Sequence, residues 1–194
     1  MSTAAKQVDT RDAILDSVER LFARYGYKKM TIDDIAAETG IGKGTVYLHF
    51  KSKEDVALSH IDRIIERLKL NLHAIAAKKI APETRIKQML VERVMVRFAS
   101  VQGYMAGLND LLASIRPGLL ARRKNYFEEE AQIIAAVLKE GRLGGPNALE
   151  TARTLVLATN SLLPYSLSAQ ELGEAKDIDA KVKRLADVLI HGII

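Results

Sequence analysis

The stretch 31–58 reads TIDDIAAETGIGKGTVYLHFKSKEDVAL, and the spacing of its breakers decides the fold. Thr31-Ile32-Asp33-Asp34 has the layout of a capping box, with Asp in place of the usual Glu or Gln, and opens a short helix through Glu38. Thr39-Gly40-Ile41 interrupts that helix. A second short helix is expected over 43–50, and Ser52-Lys53-Glu54-Asp55 caps a third that continues through Ile61, Ile64, Ile65 and Leu68 toward Leu72. Two short helices about a tight turn that contains Gly40 are the helix-turn-helix layout. Ile32, Ile35 and Ala36 face inward on the first of them, while Ile41, Val46 and Phe50 complete a small three-helix core with Leu21 and Phe22. This leaves Lys43, Thr45, Tyr47 and His49 on the exposed surfaces of the second, each offering a donor to phosphate or base edges.

The pattern Thr31…Ile35-Ala36…Gly40-Ile41…Lys43-Gly44…Tyr47…His49-Phe50…Lys53 resembles the DNA-binding signature of the TetR family, over about a quarter of the chain. The resemblance implies a homodimer whose second short helices enter successive major grooves of a pseudo-palindromic double-stranded DNA operator, with repression relieved when a small-molecule effector binds the body. It implies that Thr31 and Lys53 meet phosphates from helix N-termini, where the dipole and free N–H groups favour an anion. Tyr47 and His49 would likewise hold the DNA backbone. Lys43, Gly44 and Thr45 would approach base edges, Gly44 letting the main chain come close. Gly42 stands where family members commonly carry Ser, which removes a hydroxyl cap and its phosphate contact from a position counted with the DNA-binding set. Leu48 stands where an aromatic is common, which weakens any backbone contact there.

Outward from this stretch the chain reads as helix throughout. Upstream, Ile14, Val18, Leu21, Phe22 and Tyr25 recur at helical spacing behind a cap at Asp9 or Thr10, and Gly26 supplies a left-handed stop. Downstream, a stripe of Ile86, Met89, Leu90, Val94 and Phe98 marks a helix over 83–101, followed by one over 104–115. Pro117-Gly118 is expected to break the chain before a further long helix to about Glu140. A loop at Gly141, Gly144, Gly145 and Pro146 precedes two last helices, 147–169 with Pro164 inside it and 177–191. The expected fold is all-α with about nine helices: a three-helix DNA-binding head over 1–55 and a larger helical ligand-binding and dimerisation body over 56–194.

Composition bounds the rest. The chain of 194 residues can bury a core without staples, and its lack of cysteine removes disulfides, thiolate zinc sites and cysteine nucleophiles. The first residues, MSTAAKQV, show no apolar run of a secretory signal, and charges interrupt every apolar stretch, so a soluble, cytoplasmic protein without a membrane partner is expected. The net charge of +5 is no argument for DNA, because 1–55 carries nine basic and nine acidic residues and the whole excess lies beyond it.

Other chemistries fit less well. Gly40–Thr45 reads GIGKGT, but a phosphate-cradling loop needs four residues between its first glycine and Gly-Lys-Ser/Thr, and follows a strand rather than a helix. His49, His60, His73 and His191 lack the i,i+4 pairing of a helical zinc site. Glu128-Glu129-Glu130 reads as a solvated face, and Arg122-Arg123-Lys124 as solvated charge beside it. No enzyme, cofactor or metal is expected. The rival reading is an architectural or co-regulatory DNA binder without a ligand, from which a sensor differs by an apolar cavity with a few polar anchors. Candidate lining residues are Met89, Arg93, Arg97, Phe98, Tyr104, Met105, Asn109, Tyr126, Asn160 and Tyr165. Arg93 and Arg97, one turn apart, would greet an acidic ligand or pair with Glu92 and other surface acids. The dimer is expected through the last two long helices, on Leu149, Leu155, Val156, Leu162, Leu163, Val182, Leu185, Leu189 and Ile190.

Overall fold

The computed structural model describes the backbone over 3–167 and 169–193, and the side chains from Thr10 onward apart from Ala169. Within those residues every regular element is helical: α1 (Thr3–Lys29), α2 (Ile32–Thr39), α3 (Lys43–His49), α4 (Lys53–Ala76), α5 (Pro82–Val101), α6 (Leu108–Gly141), α7 (Ala148–Thr159), α8 (Ala169–Leu172) and α9 (Ala175–His191). Short 3₁₀ turns occupy Gln102–Gly107 and Asn160–Leu162. None of the described helices is long and apolar enough to cross a membrane.

By internal contacts the chain falls into two units, one formed by 1–63 and 101–119, the other by 64–100 and 120–194. In the first, the buried core is Ile14, Leu15, Val18, Leu21 and Phe22 of α1 together with Ile35 of α2, Val46 of α3, Phe50, and Val56 of α4. Burying each such side chain contributes about 1.5–3 kcal/mol, ample for a small head. The sequence core is found as expected except that Ile41 is only half-buried, and Tyr25, read as part of the α1 stripe, is 43% exposed. Gly26 does adopt a positive φ of 70°, but with an extended ψ of 163°, and a further helical turn follows before Met30. The 3₁₀ turn joins this unit through Tyr104, whose ring lies 5.4 Å from that of Phe22 and 6.3 Å from that of His60.

The second unit is built on Leu68, Leu72 and Ile75 of α4, Ile86, Met89 and Leu90 of α5, Ile134, Val137 and Leu138 of α6, Leu155 and Val156 of α7, and Ala186 and Ile190 of α9. The expected stripe of α5 is buried at every position.

Three expectations about the later helices are corrected. The helix over 104–115 begins only at Leu108, because Gly103 and Gly107 loosen the chain into a 3₁₀ turn. Pro117-Gly118 does not break the chain: α6 runs through it, and a Cβ on Gly118 would come within 2.5 Å of Leu58 Cδ1, so the glycine serves close packing rather than termination. The helix over 147–169 ends at Thr159. Leu163 takes an extended φ/ψ of −85°/150°, which a residue before proline prefers because the Pro164 ring clashes with the helical conformation. Of the nine residues expected at a dimer face, Leu155, Val156, Leu163, Val182 and Ile190 are buried within the chain. The large apolar side chains left exposed on the same helices are Leu157 of α7 and Val188 of α9, at 70% and 67%.

Candidate nucleic-acid interface and effector site

Helix α2 starts with the capping box read from the sequence. Thr31 Oγ1 accepts from the Asp34 N–H at 3.1 Å, and Asp34 Oδ2 accepts from the Thr31 N–H at 2.8 Å and from the Thr31 hydroxyl at 2.7 Å. These hydrogen bonds hold the Asp34 carboxyl below its ordinary value. They also engage the Thr31 hydroxyl as donor and acceptor, so meeting a phosphate requires it to exchange partners. At the other end Gly40 closes α2 in the left-handed conformation, φ 67°, ψ 26°, its N–H turned back to the last carbonyls. Arg20 of α1 reaches Glu38 at 2.8 Å and Arg24 approaches it at 3.6 Å, which fixes α2 against α1.

Helix α3 begins at Gly42, an extended N-cap with no side-chain cap. Its carbonyl accepts from Thr45 at 2.9 Å and Val46 at 3.3 Å. Val46 and Phe50 anchor the helix inward, which turns Lys43, Gly44, Tyr47 and Leu48 to the exposed side, with Thr45 and His49 half-exposed at its margins. Tyr47 is 49% and Leu48 84% exposed. Gly44 faces open space: a Cβ there would touch nothing within 4 Å. Lys43 Nζ is bridged to Asp33 Oδ2 at 2.9 Å, and the carboxylate raises the lysine above its ordinary value.

Lys53, expected at a phosphate, has its ammonium engaged within the chain. Its ammonium donates to the carbonyls of Tyr27 at 3.0 Å, Lys28 at 3.2 Å and Met30 at 3.0 Å and lies 4.6 Å from the centre of the Tyr27 ring. An ammonium has three protons, so all are engaged by the end of α1 and the residue that follows it. The expected cap before α4 is formed by Ser52, whose hydroxyl accepts from the Asp55 N–H at 3.0 Å.

The candidate effector residues divide. Tyr104, Met105 and Asn109 belong to the unit of 101–119, Tyr104 in its aromatic core and Asn109 exposed. Met89, Arg93, Arg97, Phe98, Tyr126, Asn160 and Tyr165 belong to the other. Met89 and Phe98 are packed core.

Arg93 and Arg97 do not pair with Glu92, which instead accepts from Asn71 at 2.7 Å. Both converge on Glu130. Arg93 Nε donates to Glu130 Oε2 at 2.8 Å, its Nη1 to the Val156 carbonyl at 3.1 Å and to the Thr159 hydroxyl, and its Nη2 to Asn160 Oδ1 at 2.9 Å. Arg97 engages both Glu130 oxygens and donates to the Arg93 carbonyl at 2.9 Å. Glu130, read as part of a solvated acidic face, is fully buried, because the third of three consecutive helical acids points away from its neighbours and into the body. The two arginines outweigh its desolvation and hold its carboxyl below the ordinary range.

Arg123, read as solvated charge, lies over the rings of Phe127 and Tyr165, 5.8 and 5.6 Å from their centres. The two rings lie 6.4 Å apart. The Tyr165 hydroxyl is shut off from solvent with no hydrogen-bond partner. Burial pushes this phenol up to about 12 despite three nearby arginines that favour its ionised form.

Residues 14–59 match the model of bacterial regulatory proteins of the tetR family. Over 51 residues the chain is 49% identical to the HTH-type transcriptional regulator YerO of Bacillus subtilis, covering 26% of this chain and 18% of that one, so it spans less than a fifth of that relative's length. It is 26% identical over 172 residues to the HTH-type transcriptional repressor BepR of Brucella suis, covering 80% of this chain and 79% of BepR. In structure it matches the transcriptional regulator FadR of Bacillus subtilis in complex with stearoyl-CoA, with a TM-score of 0.64 and 17% identity over 94% of this chain and 98% of that one. These relatives are described as transcriptional regulators. From the capped helix-turn-helix geometry and these likenesses, residues 14–59 carry the helix-turn-helix of the tetR family, and over most of its length the chain resembles regulators of that kind.

Proposed function

We propose that this protein is a sequence-specific transcriptional repressor that binds a palindromic double-stranded DNA operator as a homodimer and releases it when a small-molecule effector occupies the body. The observation that carries the reading is α3 itself. It is pinned inward by Val46 and Phe50, while Lys43, Gly44 and Tyr47 stand on its open face with nothing in the chain requiring a glycine at 44.

On this reading Lys43, Gly44 and Thr45 approach base edges, while Thr31, Tyr47 and His49 hold the backbone and Gly42 offers it only main chain. Lys53 acts one step removed, by fixing the corner between α1 and α2. The head is 1–55 and the regulatory and dimerisation body 56–194. Dimerisation through α7 and α9 is supported by the exposed Leu157 and Val188. An effector site in the body is supported by the polar side chains gathered around Arg93 and by the likeness to a regulator solved with an acyl-CoA.

The test is selection of duplexes from a randomised pool with the full chain, followed by titration of the winner. A two-fold symmetric consensus bound by two chains is expected. Enrichment of no sequence would leave only a non-specific, architectural binder.

A further inference from the structure

Two buried guanidinium groups share one buried carboxylate. Arg93 and Glu130 have fully buried side chains and that of Arg97 is 8% exposed, so the cluster carries a net positive charge away from water. An uncompensated charge there is costly, and pairing it is strongly favoured. Arg123 brings a third guanidinium to the same place and has no carboxylate partner among the described residues. Tyr165 does not supply the missing negative charge, because a phenol is neutral around pH 7 and burial only pushes it further up. What Tyr165 does offer is a hydroxyl donor sealed from solvent and unused.

We propose that this cluster is a headgroup site and that the effector it takes is a monocarboxylate with an apolar body. The carboxylate supplies the missing negative charge and accepts from the Tyr165 hydroxyl and from Arg123, a match for its two oxygens. The apolar body lies along the rings of Phe127 and Tyr165. Arg93 gives the site its output. The same side chain holds α5 to Glu130 of α6 and to Val156, Thr159 and Asn160 at the end of α7, so an added anion competes for the group that joins the three helices.

The assignment rests on the reading of the body as a sensor and is separable from it. The experiment is calorimetric titration and thermal unfolding of the full chain with 4-phenylbutyrate and dodecanoate, beside the neutral amides of the same skeletons. Each carboxylate should bind with a raised melting temperature, and each amide about tenfold more weakly or worse. Tyr165→Phe should keep its unliganded melting temperature, since the hydroxyl has no partner to lose, yet weaken both carboxylates about tenfold. Arg123→Met should weaken them as well. Amides binding as tightly as the acids, carboxylate affinity unchanged in Tyr165→Phe, no binding of either acid, or chloride or inorganic phosphate alone abolishing acid binding would each overturn the proposal.

The selected operator duplex separates the two readings. Carboxylate binding that leaves operator affinity unchanged removes the sensor and keeps the site. A neutral compound that releases the duplex, with no carboxylate bound, removes the site and keeps the sensor.

Discussion

Lys43 Nζ lies 2.9 Å from Asp33 Oδ2, so a side chain expected at base edges is already bridged to the helix before it. Both side chains are more than half exposed, which makes the bridge weak and easily exchanged for a DNA acceptor. On the proposed reading Asp33 competes with DNA for Lys43. Asp33→Asn should tighten binding to scrambled duplexes several-fold while the selected consensus stays the same. Fluorescence anisotropy at several salt concentrations reads this directly, and an unchanged affinity for scrambled duplex would show that the bridge does not restrain Lys43.

Thr45 and Tyr47 should fail differently. Tyr47→Ala should weaken binding to all duplexes alike, since a phosphate presents the same oxygens whatever the base pair. Thr45→Ala should relax preference at one or two operator positions, at a cost of about 1–3 kcal/mol for each discriminating contact. Repeating the duplex selection with each variant decides it. A consensus unchanged by Thr45→Ala but shifted by Tyr47→Ala would reverse the roles.

Lys53 supports the head from inside. Lys53→Met keeps most of the stem but removes the donor shared by the carbonyls of Tyr27, Lys28 and Met30. A loss of about 1–3 kcal/mol is expected in chemical denaturation, with DNA affinity falling only as far as the head loosens. If stability held while the salt slope of DNA binding fell by about one, Lys53 would be a phosphate contact after all.

The head was legible because its signals are local. Thr31, Gly40 and Ser52 each act within four residues of themselves: Thr31 and Ser52 form the caps their spacing announces, and Gly40 ends α2 where the interruption was read. What remained hidden depends on partners far along the chain. Nothing near Lys53 indicates that it reaches back to Met30, and nothing near Glu130 indicates that two arginines more than thirty residues earlier bury it. Pro117-Gly118 misled for the same reason: its glycine answers to Leu58, not to its neighbours. The signal that could have found Glu130 was Arg93 and Arg97 themselves, two cations one turn apart on the inward side of an apolar stripe, which require an anion.

The exposed pair on α7 and α9 gives the dimer a sharp test. Leu157→Asp with Val188→Asp puts charges where the proposed interface is dry, while neither position holds up the core of its own chain. Sedimentation should show dimers of the parent and monomers of the double variant at micromolar concentration, with helix content retained. A parent that sediments as a monomer removes the dimer. A double variant that stays dimeric moves the interface elsewhere.

Glu130 and Glu129 are adjacent acids that should respond in opposite ways to loss of charge. Glu129 is 47% exposed and bridged to Lys69 at 2.7 Å, a surface pair of the kind that contributes about 0–1 kcal/mol, so Glu129→Gln should be near neutral. Glu130→Gln instead leaves Arg93 and Arg97 buried with no counter-charge, and the expected loss is about 3–5 kcal/mol. The pH dependence has a definite sign. A carboxyl whose folded value lies below its ordinary 4.5 binds protons more readily when unfolded, so its contribution is fully present above that value and is lost as pH falls through the lower, folded one. The parent should therefore lose stability on acidification below about 4.5 more steeply than Glu130→Gln, measured by denaturant titration. If Glu130→Gln does not fold, Arg93→Met with Glu130→Met and Arg97→Met removes all three charges together and should fold, because an apolar replacement of a whole buried ion cluster leaves no charge unpaired. Equal losses from Glu129→Gln and Glu130→Gln would show that the cluster is solvated in solution and contributes nothing particular to the body.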